Sequence, residues 1–77
     1  MKILEMLQTW VNLKVIEKYN KAVEADEMRQ IIFCEGAVSC ARDLLAELGI
    51  QMETRPIKKG PFERPLIACK LSFFRNE

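Results

Sequence analysis

Residues 41–54 read ARDLLAELGIQMET, and the spacing of apolar residues changes inside this stretch, at Gly49. Upstream, Ile31, Cys34, Val38, Ala41, Leu45 and Leu48 recur at three- and four-residue steps, which places them on one face of a helix. Downstream the pattern alternates. Ile50, Met52 and Thr54 interleave with Gln51, Glu53 and Arg55, and Ile67, Cys69, Leu71 and Phe73 repeat the alternation later in the chain, as one face of a strand requires. Gly49, following Glu-Leu, has the character of a helix C-terminal cap, because glycine reaches the left-handed conformation at little cost. The charge balance shifts at the same point. Residues 1–49 carry six Lys/Arg against eight Asp/Glu, a net of −2, whereas residues 50–77 carry six against three, a net of +3. An acidic helical part therefore precedes a basic strand part.

Working back from Gly49, the chain from Lys2 to Leu48 contains no proline and one glycine, Gly36. As a single rod this segment would reach about 70 Å and would need a coiled-coil partner along most of it. Two helices folded back on each other are expected instead, at about 2–21 and 26–48. The break is placed between Asn20 and Asp26, with Asp26 as N-cap of the second helix and Glu27 in its first turn. Working forward, strands are expected at about 50–56 and 66–74. Between them Lys58-Lys59-Gly60-Pro61-Phe62-Glu63-Arg64-Pro65 has the Gly-Pro and Pro signals of a loop. The expected fold is α+β: a two-helix hairpin followed by a two-stranded antiparallel β-hairpin (ααββ), in one domain spanning 1–77. Two strands alone are marginal in water, so packing on the helices, or completion of the sheet by a second subunit, is expected to support them.

The first helix carries two apolar stripes. Leu4, Leu7, Val11, Val15, Tyr19 and Ala22 form one; Ile3, Met6, Trp10 and Leu13 form another on much of the opposite side. A helix apolar nearly all round is one that becomes covered nearly all round. A chain of 77 residues has little core with which to do this, since small domains supply only roughly 3–5 kcal/mol unaided. Met6, Trp10 and Leu13 are accordingly candidates for a subunit contact, most simply in a dimer. Intramolecular burial is the competing expectation. Ile32 and Phe33, at the margin of the second helix's stripe, raise the same question.

Composition narrows the function. There is no histidine, which removes the commonest general base at neutral pH and every Ser–His or Cys–His arrangement. Without histidine and without Cys-x-x-Cys, the usual zinc sites are absent, and Cys34 and Cys40, six residues apart, point in well-separated directions. Glu24, Asp26 and Glu27 cluster, and Asp43 and Glu47 sit four residues apart, but such carboxylates ordinarily form a solvated face. Gly36, Gly49 and Gly60 are scattered and make no phosphate-cradling loop. We therefore expect no catalytic residues, no metal and no cofactor. Three cysteines are an odd number, read as small buried hydrophobes in a reducing compartment. No apolar run is long enough to span a bilayer, and a cytoplasmic protein with no membrane partner is expected.

What remains is binding. Arg55, Lys58, Lys59 and Arg64 crowd the loop end of the hairpin, with Phe62 among them and Glu63 alone opposing. Such a group suits a partner protein steered by charge, a nucleic acid whose phosphates and bases meet the cations and the aromatic ring, or a small anion such as a nucleotide. It also suits a sheet edge kept from aggregating by its charge. The expected function is a non-catalytic interaction module that self-associates and presents a basic β-hairpin to a partner protein. Nucleic-acid binding and anion binding are the alternatives. No motif is specific enough to point to a family.

Overall fold

The structure, a computed structural model, describes residues 2–60 and 64–74. The chain is an α+β protein of ααββ order. The first helical rod comprises α1 (Ile3–Val11), a π-helical stretch (Asn12–Ile16) and α2 (Glu17–Ala25), joined without a break. It reverses into α3 (Met28–Glu47), and β1 (Ile50–Lys59) and β2 (Pro65–Phe73) follow as an antiparallel pair. The period change at Gly49 is real. Gly49 adopts φ +78° and its N–H donates to the Ala46 carbonyl, ending α3 in the conformation that favours glycine.

The reversal between the helices differs from the sequence reading. The first rod runs past Asn20 to Ala25, and Asp26 terminates it instead of capping α3. Asp26 lies in the left-handed region (φ 53°, ψ 40°), its N–H bonds the Val23 carbonyl and the Glu27 N–H bonds the Ala22 carbonyl. That crossed pair of bonds is a Schellman termination, in which a short polar residue substitutes for the usual glycine. Glu27 holds the N-cap position of α3 with no side-chain cap bond.

Both helices lie against the hairpin, the first rod along β2 and α3 along β1. The inward face of the sheet is the one read from alternation, with Met52 opposite Leu71 and Thr54 opposite Cys69, except at its end, where Phe73, opposite buried Ile50, is exposed. Two apolar clusters result. The larger joins Val11, Val15 and Ile16 to Val38 and Leu45 and to Ile50, Met52 and Leu71. The smaller gathers Tyr19, Ala22 and Val23 with Ile31 and Cys34, and half-buried Ile67 touches both. The stripe Leu4, Leu7, Val11, Val15, Tyr19, Ala22 is thus the one that packs inward.

Two side-chain amides fasten the rod to β2. The Leu71 N–H donates to Gln8 Oε1 (2.7 Å), and Gln8 Nε2 donates to the Cys69 carbonyl (3.1 Å). Asn20 repeats the arrangement at Ile67, accepting from its N–H (3.0 Å) and donating to its carbonyl (2.9 Å). Residues 67, 69 and 71 point their peptide groups away from β1, so these amides occupy the strand edge that β1 leaves open. The π-helical stretch makes this geometry available. Twelve steps of about 100° would set Gln8 and Asn20 about 120° apart on a regular α-helix, whereas absorbing one extra residue brings them within about 20°. The other edge, on β1, is interrupted by Pro56, which has no N–H, and by a register shift between Pro56 and Lys58.

Candidate interaction surfaces

Arg55, Lys58 and Lys59 are exposed on the outer half of β1, which runs on past Pro56 and takes in the two lysines expected in the loop. Arg64 is drawn away from them. Its guanidinium donates to Glu35 Oε2 on α3 at 2.7 Å and lies 3.9 Å from the Met28 sulfur. It ties the start of β2 to the second helix, so its charge is already answered. Phe62 and Glu63 lie outside the described residues. The candidate phosphate or partner group therefore comes down to three cations on one strand. Arg55 stands opposite Ala68 and Lys58 opposite Leu66, so neither has a cross-strand carboxylate beside it. Glu53, by contrast, stands opposite Lys70 and accepts a bond from the Gln51 amide (2.7 Å).

None of the hollows described below is lined by Arg55, Lys58 or Lys59. The three cations are exposed along one strand, apart from both hollows described below. Among the described residues no group of three His, Cys, Asp or Glu side chains is placed to hold a metal ion. No helix among them is long and apolar enough to cross a membrane.

The cysteines separate into three environments. Cys34 is buried in the smaller cluster, Cys69 is half-buried under the rod, and Cys40 is exposed. Exposure of Cys40 corrects the reading of all three as buried hydrophobes: it falls on the face of α3 turned away from the sheet. Burial pushes the Cys69 thiol above its ordinary value, partly offset by a hydrogen bond from Gln8 and by the charge of Arg42. A thiol held protonated in this way is a packing group, with little thiolate for chemistry at neutral pH.

Among the described residues, nothing covers the second stripe of the first helix. Ile3, Met6, Trp10 and Leu13 are each more than half exposed. Leu44 of α3 and Leu48, just past its end, are exposed to a similar degree and share a groove with Trp10. Leu48 ends the inward ladder in the sequence, but at the C-terminus of α3 it turns outward. Leu44 was masked by its neighbour Leu45. The signal that would have found it is a second ladder, Phe33, Ala37, Cys40, Leu44, Leu48, whose small central members hide its apolar character. Phe33 and Ile32, at the margin of the stripe, are exposed as well.

Trp10 is the hinge of this outer face because it lines two hollows. On one side a depression of about 450 Å³ runs past Met6 and Leu13. On the other, a groove of about 750 Å³ lies between the first rod and α3. Lys14 and Lys18 stand on its rim, their stems along apolar surface and their ammonium groups free to reach water. The molecule thus presents an exposed basic strand and a grooved apolar helical face. Compared with known proteins, the chain matches no family model, no curated protein and no solved structure.

Proposed function

We propose that the protein is a non-catalytic interaction module that works as a homo-oligomer and offers the basic strand β1 to a partner protein. The observation that carries this reading is the coexistence of two unlike exposed surfaces on so small a chain. One is apolar and large, with Trp10 at its centre, and aromatic residues of this kind anchor protein contacts. The other is a short run of cations, Arg55, Lys58 and Lys59, that would steer an acidic partner. A small anionic ligand is disfavoured because Arg64 is engaged by Glu35, which leaves three cations spread along one strand.

The test compares an acidic peptide, a DNA duplex and a nucleotide as probes at several salt concentrations. The reading expects the acidic peptide to bind, to weaken with salt, and to lose at least tenfold in affinity in Lys58→Ala/Lys59→Ala. Preference for the duplex, with affinity falling steeply with salt, would transfer the strand to nucleic-acid recognition. Binding by none of the three would remove β1 as the working surface.

A further inference from the structure

The apolar outer face has the size and the shape of a contact with its own copy. Ile3, Met6, Trp10, Leu13, Leu44 and Leu48 are exposed by 53–65%. Six large side chains so exposed present roughly 750 Å², above the ~300–600 Å² patch of an ordinary monomer and close to the ~800 Å² each partner contributes to a standard interface. The face is continuous: Trp10 belongs to both of its hollows, and Ile3, which lines neither, stands three residues before Met6 on the same helix face.

A twofold contact sets a geometric requirement on such a face. It uses the same patch on both subunits, so a protrusion and the recess that receives it must lie side by side on one surface. Trp10, the bulkiest exposed side chain of the face, is the group able to serve as the protrusion. The recess is the groove next to it, with buried Val11, Val15 and Leu45 as floor and Leu44 and Leu48 as the far wall. We propose that two copies pack helical face to helical face, each Trp10 entering the groove of the other, so that the two hairpins lie on the outside of a four-helix layer. This rests on the homo-oligomer reading above and gives that oligomer its surface, its symmetry and its anchor.

The groove also contains a native reporter. Cys40 lines it and is exposed in the single chain, whereas Cys34 is buried and Cys69 half-buried. The experiment follows the rate at which Cys40 reacts with a disulfide reagent, and the emission of Trp10, over a dilution series whose mass is known from light scattering. Expected are at least a tenfold slowing of Cys40 and a blue shift of Trp10 as the dimer forms. Leu44→Asp, at an exposed site, should restore the dilute-limit rate at every concentration while far-ultraviolet circular dichroism stays unchanged.

Three results overturn the proposal. In a dimer whose Cys40 and Trp10 stay as accessible as in dilute solution, the proposed face is open and the homo-oligomer reading survives through another surface. Retention of the dimer by a folded Leu44→Asp would exclude the groove in the same way. A chain that stays monomeric at all concentrations removes both the face-to-face contact and the homo-oligomer.

Discussion

The two sides of the helical layer are built by different rules. On the side toward the sheet, apolar residues interlock and the polar groups among them are paired: Gln8 and Asn20 each give and accept bonds along β2. Such directional bonds fix one arrangement, because a shifted strand would leave peptide groups unsatisfied. On the outer side the apolar residues meet solvent, the polar neighbours are lysines, and among the described residues Trp10 stays more than half exposed. The inner side specifies a fold and the outer side does not. Exposed area of this extent is therefore better explained by contact with another molecule than by the stability of the protomer.

Substitutions on the two sides should consequently differ, and the largest effect belongs inside. Ile31 is among the most deeply buried side chains, and Ile31→Ala should cost about 2–5 kcal/mol, which rivals the whole stability of a domain this size. Urea unfolding followed by circular dichroism would show a chain largely unfolded without denaturant. A variant nearly as stable as the parent would mean that the inner packing is loose and the contrast between the sides overstated.

Next come the amides. Gln8→Leu and Asn20→Leu each leave peptide groups of β2 without a partner, and each should cost about 1–2 kcal/mol, since water reaches these half-buried sites in part. Amide exchange should accelerate at Leu71 in the first variant and at Ile67 in the second. Unchanged exchange would show that the bonds are incidental to the strand's position.

Smaller still is the effect expected outside. Leu48→Ser, at a residue exposed in the single chain, should move protomer stability by no more than about 0.5 kcal/mol when measured at dilution. A large loss at dilution would show that the outer face supports the protomer itself. The smallest effect concerns the ion pair between Arg64 and Glu35, on partly exposed side chains. Arg64→Ala should cost under about 1 kcal/mol and the difference should shrink as salt is added. A salt-independent cost would point to packing on Met28 as the larger part of that contact.

Much of the inner side could be read from the sequence. The ladder through Leu45, the alternation through Leu71 and the cap at Gly49 are local patterns, and each depends on residues within a few positions of one another. The unreadable parts depend on distance. Gln8 meets β2 more than sixty residues away, Arg64 meets Glu35 across 29, and neither pairing leaves a local trace. The π-helical turn is equally silent, because it answers a requirement that exists only when the rod lies on β2. Asp26 was ambiguous for a different reason: aspartate suits both a helix N-cap and a left-handed terminus, and the chain reversal decides between them. On the outer side, Met6, Trp10 and Leu13 were legible as a second stripe, while Leu44 was lost beside Leu45. The three cations of β1 were legible as charge; that Arg64 is not one of them was not.

The measurement that tests the central claim most directly is the absolute mass of the unmodified chain by light scattering, from dilute to concentrated solution at moderate salt. Covering of the outer face by a second copy predicts twice the chain mass at the concentrated end, falling toward one chain mass on dilution. A mass of one chain throughout would contradict it.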